Sequence, residues 1–259
     1  MIGEIVTYGK GYTLTPGVKV FIRSAVKTGN KVTIIGSQLC DDIKDFAEEY
    51  GVTIFGSEIL SKKYNVNESL SPYTLKVIYF YLYCKHVCTS ENVYLCDFTD
   101  IYFQKNVFEL IQNNKAYVTS ENKIIGSCQT NSTWINICYN HDIFNLLKKH
   151  DILNGGSILG KREACMYLLD EMCKDMSSII ARAGNYQNID QASLNKVVYF
   201  DQYSYNVLNS GQILNAAHSM DSHVSCVGDV YTIDGITPFA LHQYDVIKSI
   251  ESKLYDRFG

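Results

Sequence analysis

The amino-acid sequence predicts a single α/β domain with a central, mostly parallel sheet covered by helices. In the first half of the chain, short apolar runs alternate with longer amphipathic segments, which is typical of parallel, helix-covered sheets. The length of 259 residues suits one large domain of this class. No repeat, low-complexity segment or linker divides the chain, so we expect residues 1–259 to form one domain.

The elements of the first half have clear local signals. The apolar run 4–9 predicts the first strand. Residues 15–30 predict a helix that has Thr15 as its N-cap and Pro16 at its first position. The remaining elements predicted in this half are strands over 31–37, 52–57 and 92–97 and helices over 41–51, 71–86 and 106–114.

The second half of the chain is less regular. Residues 115–121 and 133–140 predict strands. The segment ILNGGSILGKRE (152–163) predicts a turn between a strand and a helix, in which Gly155 and Gly156 let the backbone approach another group closely. The other predicted elements are helices over 142–150, 162–176 and 188–198, followed by alternating short strands and loops up to residue 245.

Charge and composition argue against several classes of partner. A net charge of −4 offers no basic surface for nucleic acid or for an anionic membrane. No apolar run approaches the roughly 18 residues that a membrane-spanning helix needs, and the N-terminus lacks the pattern of a signal peptide. Nine scattered cysteines without such a signal predict reduced thiols and a cytoplasmic protein. The abundance of Lys, Asn, Ile and Tyr indicates an AT-rich genome, either bacterial or that of a large virus.

Two carboxylates follow the strand predicted over 92–97. Asp97 ends an apolar run, and Asp100 follows three residues later. In open α/β sheets, ligands bind outside the carboxyl ends of the strands. Oxygen ligands at such an end favour a hard cation, Mg²⁺ or Mn²⁺, which usually takes one or two carboxylates together with substrate phosphates. The alternative is a carboxylate that caps the next helix beside a solvated neighbour.

Three later residues offer groups for ligand recognition, and each has an ordinary structural alternative. Asn154 carries an amide that can recognise a hydroxyl, or it simply belongs to a turn. Asp190, near the start of a predicted helix, either serves the helix dipole or presents its carboxylate to a sugar hydroxyl. His242 follows an apolar strand near the C-terminus and is either structural or a ligand for Mn²⁺ beside the carboxylates.

In their order along the chain, these motifs resemble the GT-A family of nucleotide-sugar glycosyltransferases. The segment DFTDIYFQ (97–104) is similar to the family's Asp-x-Asp element, but two residues rather than one separate its acids. That difference leaves open which carboxylate touches the metal directly. NGGSILG (154–160) looks like the family's acceptor and donor-sugar turn, DQASLN (190–195) like its Asp-Gln helix, and HQYD (242–245) like its C-terminal His segment. The resemblance spans about residues 4–245.

The resemblance implies a single GT-A (Rossmann-like) domain that transfers a sugar from a nucleotide-diphosphate sugar, with a UDP- or GDP-sugar as donor and a glycan hydroxyl as acceptor. Residues 1–114 would form the nucleotide-binding half and residues 115–259 the half that binds sugar and acceptor. Mn²⁺ or Mg²⁺ would be held by Asp97, Asp100 and His242. The nucleotide would be bound by Thr7, Tyr8 and Asp97, and the sugar and acceptor by Asn154, Gly155, Gly156, Gln191 and Asp190, the last of which is also the catalytic candidate.

Three alternatives stay open at this point. Tyr8 either stacks on the nucleotide base or is an ordinary core tyrosine. The protein is alternatively a non-catalytic nucleotide-sugar-binding domain of the same fold. A Mg²⁺-dependent phosphohydrolase is the other rival, but it would place its acids after the first strand with one residue between them, whereas here they follow the fourth strand.

Overall fold

The computed structural model describes residues 1–186, 188–201, 204–218 and 224–258. Its strands, numbered along the chain, are β1 (Glu4–Lys10), β2 (Lys31–Ser37), β3 (Thr53–Gly56), β4 (Asn92–Cys96), β5 (Ile101–Phe103), β6 (Ala116–Ile124), β7 (Asp151–Lys161), β8 (Tyr205–Leu208), β9 (Ile213–Asn215), β10 (Val224–Val227), β11 (Val230–Ile233) and β12 (Ala240–His242). Its α-helices are α1 (Pro16–Lys27), α2 (Asp41–Glu49), α3 (Ser57–Tyr64), α4 (Pro72–His86), α5 (Gln129–Cys138), α6 (His141–Leu147), α7 (Arg162–Ala183), α8 (Ile189–Phe200) and α9 (Lys248–Phe258).

A seven-stranded sheet forms the centre of the molecule, in the order β3–β2–β1–β4–β7–β6–β8. Strands β3, β2, β1 and β4 are parallel neighbours, and β6 is parallel to β8. Strand β7 runs antiparallel to both β4 and β6. All strands of this sheet except β7 therefore share one direction, which confirms the predicted α/β, Rossmann-like domain with a mostly parallel sheet.

The two faces of the sheet bury separate apolar layers. Side chains alternate along β4, so Val93 and Leu95 join the layer under α4, α7 and α8, while Tyr94 and Cys96 join the layer that contains α1 and α2. Both faces are covered, and every residue of β4 is buried. A ligand can therefore reach this sheet at the ends of its strands but not on either face.

A smaller three-stranded sheet brings the C-terminal segment to the end of β4. Strand β12 lies between β5, to which it is antiparallel, and β9, to which it is parallel. Because β5 begins immediately after Asp100, this pairing places the end of β12 beside the acids that follow β4. Helix α9 packs on α1 beside this sheet.

Most predicted elements are confirmed, together with their capping signals. The Thr15 hydroxyl accepts the backbone N–H of Val18 at the start of α1, and Pro16 occupies the first helical position. Ser71 does the same for Thr74 at the start of α4. No helix within the described residues has the length and apolar character needed to cross a bilayer.

The structure corrects three local predictions. Residues 133–140 do not form a strand, because residues 133–138 belong to α5, where Ile135 and Cys138 are buried on one helical face. Helix packing here outweighs the β propensity of the segment. Residues 152–163 do not form a turn but belong mostly to β7, which includes Asn154–Gly156. The helix predicted over 106–114 is only a 3₁₀ turn at Val107–Leu110.

Three elements were not predicted from the sequence. Helix α3 and strand β5 are short, and α9 lies beyond the last segment for which the sequence pattern predicted structure. Strand β5 is only three residues long, so its alternation is too brief to distinguish it from a loop.

Candidate metal and ligand site

Three potential metal ligands meet at the carboxyl edge of the central sheet. Asp97 directly follows β4, Asp100 directly precedes β5, and His242 ends β12. The antiparallel pairing of β12 with β5 sets His242 opposite Ile101. Residues separated by about 140 positions in the sequence are therefore neighbours.

The geometry of this cluster suits a cation. His242 Nε2 lies 3.3 Å from Asp97 Oδ2 and 3.6 Å from Asp100 Oδ2. One ligand atom from each of the three residues lies within 4.8 Å of the others. His242 Nε2 and Asp100 Oδ1 are buried, and neither has a hydrogen-bond partner among the described residues. Buried polar atoms without partners are costly, so a metal ion bound among them would satisfy an unmet requirement of the fold.

Asn215 orients the imidazole of His242. The Asn215 amide nitrogen donates to the backbone carbonyl of Ser120 at 2.9 Å, which turns its oxygen toward His242 Nδ1 at 2.8 Å. An amide oxygen only accepts, so Nδ1 carries a proton and Nε2 is the ring nitrogen that faces the two carboxylates. With a metal ion bound, Nε2 would be the ligating nitrogen, and without one the protonated ring pairs with the carboxylates. The contact with Asn215 thus fixes the ring orientation that a metal ligand needs.

Gly156 leaves the space in which the acids and the histidine meet. Its carbonyl accepts the backbone N–H of Asp97 at 3.0 Å. A Cβ at position 156 would overlap the Asp97 carboxylate and would lie 2.7 Å from His242 Cε1. The glycine pair was predicted to allow a close approach, and this holds for Gly156, although the backbone is a strand and not a turn.

Lys76 was not predicted from the sequence, yet it lies at the centre of the site. It is buried on α4 and its Nζ lies 2.7 Å from Asp97 Oδ1 and 3.5 Å from Asp190 Oδ2. A signal was present, because a single lysine interrupts the apolar run of α4. Buried lysines are rarely found without a charged partner.

The charges within the cluster shift each other's pKa values. Burial alone would raise the pKa of Asp97, but the positive charges of Lys76 and His242 outweigh it and hold that pKa well below its ordinary value. Burial, with the nearby Asp97 and Asp245 carboxylates, raises the pKa of Asp100 to about 6 despite the attraction of His242. The two acids therefore differ. The surroundings stabilise the ionised form of Asp97, whereas they disfavour the ionised form of Asp100.

The pKa values of the two basic groups in the cluster are both raised. Burial would lower the pKa of Lys76, but Asp97 and Asp190 raise it well above its ordinary range. Burial would likewise lower the pKa of His242, and Asp100 and Asp97 raise it. Without a metal the cluster thus holds positive charge on its own basic groups.

A cleft of about 580 Å³ opens above this cluster. Of the predicted ligand-binding residues, those that line it are Tyr8, Asp97, Asp100, Asn154, Gly155, Gly156, Asp190 and Gln191. His242 lies fully buried beneath the cleft. Thr7 does not line it, because its side chain is buried within β1 with no hydrogen-bond partner among the described residues.

Two of these predicted sugar-binding side chains are engaged by the protein itself. Asn154 accepts the backbone N–H of Gly156 and donates to Glu121 at 2.8 Å. Gln191 accepts the backbone N–H of Gly155 and donates to Asn131 at 2.9 Å. Their amides therefore hold the glycine pair of β7 in place, and the buried carboxylate of Glu121 anchors the network.

Other residues that line the cleft were also missed at the sequence level. Tyr12 follows β1, Tyr73 lies in the first turn of α4, and Trp134 lies on α5. Gln243, next to His242, adopts a left-handed backbone with φ of 57° and has a buried amide oxygen without a partner among the described residues. No periodic pattern distinguishes such side chains from ordinary surface and core residues.

Comparison with known proteins adds no assignment. No protein-family model matches the chain, and no curated protein matches its sequence. The functional interpretation consequently rests on the geometry of the cleft and of the cluster beneath it.

Proposed function

We propose that this protein transfers a sugar from a nucleotide-diphosphate sugar to an acceptor hydroxyl with the help of a divalent cation. The observation that supports this most strongly is the cluster of Asp97, Asp100 and His242 at the floor of a cleft, at the carboxyl edge of a mostly parallel sheet. The proposal agrees with the sequence resemblance to the GT-A family.

The three residues fit a divalent cation by their chemistry. Two carboxylates and one imidazole form a mixed oxygen and nitrogen donor set, which suits Mn²⁺ better than Mg²⁺, whose preference is for oxygen alone. When bound, such an ion acts as a Lewis acid that stabilises the charge of a departing diphosphate. The candidate cation site lies beside the Lys76 ammonium, which also favours an anionic ligand in the cleft.

The β1 end of the cleft supports binding of a nucleotide. Tyr8 lines it, is only 6% exposed, and its hydroxyl has no partner among the described residues. The Tyr8 ring stacks on Tyr79 with centroids 5.3 Å apart. One ring face is therefore covered, and only a small part of the ring reaches the cleft. Tyr12 stands nearby on the rim and adds a second aromatic surface.

Asp190 is the candidate that acts on the sugar or on the acceptor hydroxyl. It lines the cleft at the start of α8, it is 3% exposed, and Lys76 holds its carboxylate. Burial raises its pKa, and the charge of Lys76 partly opposes that shift. A carboxylate in this position accepts hydrogen bonds from sugar hydroxyls and can take the proton of an acceptor.

The proposal is tested first by ligand binding. UDP-, GDP-, CMP- and dTDP-sugars are each screened by thermal shift with Mn²⁺ and, separately, with EDTA, because a ligand of the folded state raises the melting temperature. We expect one donor class to stabilise the protein only when Mn²⁺ is present. No stabilisation by any nucleotide with Mn²⁺ would contradict the proposal.

The second stage separates the possible activities. The stabilising donor is incubated with a panel of saccharide acceptors, and free nucleotide and glycosylated product are measured together. Transfer supports the proposed glycosyltransferase. Nucleotide binding without turnover on any acceptor indicates a binding domain, and hydrolysis of a phosphomonoester without any nucleotide indicates a phosphohydrolase. The exposed Asp45, on α2, supplies a matched control, since Asp45→Asn changes one charge outside the cleft whereas Asp100→Asn changes one inside it.

A further inference from the structure

The cleft has two distinct ends, and the proposed function accounts for only one of them. The order of strands along the carboxyl edge runs from β1 through β4 to β7. Tyr8 and Tyr12 belong to the β1 end, Asp97 and Lys76 occupy the middle, and the start of α8 borders β7. Helix α5 packs against α8 and closes the end that lies opposite β1.

Trp134 lies in the wall at that opposite end. It is on α5, one helical turn after Asn131, and Asn131 Oδ1 accepts a hydrogen bond from Gln191 at 2.9 Å. Residues three positions apart share a face of a helix, so Trp134 lies on the face of α5 that is turned toward Gln191. The indole is half-buried, lines the cleft, and makes no hydrogen bond within the described part of the chain.

The neighbours of Trp134 in the cleft are polar. Asn188 precedes α8 in a left-handed conformation with φ of 60°, an unfavourable backbone that aspartate and asparagine adopt more readily than most residues. It also lines the cleft, and its side chain makes no capping hydrogen bond to α8. Asp190 and Gly155 complete the wall. One flat apolar surface is thus bordered by an amide, a carboxylate and a strand backbone.

We infer that Trp134 and Asn188 form an acceptor subsite for a pyranose ring, an assignment that rests on the proposed sugar transfer. A pyranose presents a flat C–H face surrounded by hydroxyls, which is complementary to an indole face bordered by polar groups. A lipid acceptor would require an apolar wall, and this wall is polar except for the indole. With the nucleotide at the β1 end and Asp190 in the wall beside Trp134, the Trp134 end is where an acceptor hydroxyl approaches the transferred sugar.

Trp134 is the single tryptophan of the chain, so its fluorescence reports directly on this subsite. Methyl β-glucoside, methyl β-galactoside and methyl α-mannoside are titrated into the unmodified protein, with sorbitol as a polyol that has no ring face. We expect a saturable change in tryptophan emission with at least one glycoside and none with sorbitol. The same response to sorbitol and to all glycosides, or no response to any, would overturn the inference.

Variants provide the second readout. Trp134→Ala should raise the KM for the saccharide acceptor roughly three- to tenfold, the range expected for the loss of one aromatic contact, while the KM for the donor stays the same. Trp134→Phe keeps a ring and should recover most of that loss, which a purely structural role would not predict. Tyr167→Ala, which removes an exposed aromatic ring on α7 outside the cleft, is the matched control. An unchanged acceptor KM in a folded Trp134→Ala protein would contradict the subsite.

The outcome is separable from that of the proposed function. If nucleotides and Mn²⁺ stabilise the protein but no glycoside alters the emission, the acceptor subsite is wrong and the proposed function stands. If glycosides alter the emission but no nucleotide binds with Mn²⁺, the saccharide site stands and the sugar-nucleotide function is wrong.

Discussion

Asn215 and His242 lie directly opposite each other on the parallel strands β9 and β12, and the Asn215 amide oxygen is 2.8 Å from His242 Nδ1. Both side chains are almost completely buried. The contact determines which imidazole nitrogen faces Asp97 and Asp100. Metal binding by the cluster therefore depends on Asn215, although Asn215 does not line the cleft.

Replacing Asn215 should weaken metal binding more than it weakens the fold. We expect Asn215→Ala to reduce Mn²⁺ affinity about 10- to 100-fold, as is common when a partner of a ligating histidine is removed. The measurement is a Mn²⁺ titration followed by electron paramagnetic resonance, together with thermal unfolding in EDTA. Asn206→Ala, on the edge strand β8, is the control. Equal Mn²⁺ affinity in the Asn215 variant and the wild type would show that Asn215 does not orient the ligand.

Asp100→Asn should stabilise the metal-free protein while it prevents metal binding. The folded-state pKa of Asp100 is raised from 3.8 to about 6, so its ionised form disfavours folding. This cost is absent below about pH 4 and fully present above about pH 6. In EDTA at pH 8 the variant should therefore melt at a higher temperature than the wild type, with the difference vanishing near pH 4. Mn²⁺ should stabilise only the wild type, and a variant that still responds to Mn²⁺ would remove Asp100 from the site.

The two neighbouring glycines of β7 should differ in their tolerance of a methyl group. Gly156→Ala would press a Cβ into Asp97 and His242, whereas at Gly155 the nearest atom to a Cβ is Asp190 Oδ2 at 3.3 Å. We expect Gly156→Ala to cost about 1–3 kcal/mol of stability, typical of overpacking, and to abolish measurable Mn²⁺ binding. Gly155→Ala should retain it. Calorimetric Mn²⁺ titrations of both variants test this, and similar affinities would contradict the described geometry.

Asp190→Asn should slow sugar transfer without loss of nucleotide affinity. Loss of a charge-assisted hydrogen bond costs roughly 1.5–3 kcal/mol, which corresponds to about a ten- to hundredfold lower rate if the bond acts in the transition state. Transfer rate and affinity for the free nucleoside diphosphate are measured on the same preparation. A parallel fall in both would assign Asp190 to the nucleotide site or to the scaffold around Lys76.

Far from the cleft, Glu4 should control stability in acid. Its carboxylate is fully buried and accepts hydrogen bonds from Tyr83 at 2.6 Å, Thr33 at 2.7 Å and Ser90 at 2.8 Å, with Lys31 Nζ 3.0 Å away. Burial would raise its pKa, but these bonds outweigh it and lower the pKa below 4.5.

The sign of the resulting pH dependence follows from that shift. Glu4 stabilises the fold at pH values above about 4.5, and this contribution is lost as the pH falls through its lower folded-state pKa. Glu4→Gln should be less stable than the wild type at pH 7 and should lose less stability on acidification. Urea unfolding at pH 7 and pH 3.5 measures both effects. An equal loss for the two proteins would show that another acid governs the transition.

Local sequence patterns were sufficient for the layered α/β architecture. The strands of the first half are continuous apolar runs because both sheet faces are covered, and that pattern is visible without a structure. Capping signals at Thr15 and Pro16 are equally local. The second half was harder to predict because Asn154–Gly156 look like a turn, although they form the part of β7 that passes between the acids and α8.

The sequence by itself determined where strands end in polar residues, and it thereby indicated Asp97, Asp100 and His242. Only the tertiary structure decided that Lys76 joins Asp97 to Asp190, that Asn215 holds the imidazole, and that Trp134 faces the far end of the cleft. The physical reason is that such relationships depend on contacts between distant segments. A pairing such as β12 with β5 is set by backbone hydrogen bonds and packing across more than a hundred residues, and no local pattern of side chains specifies it.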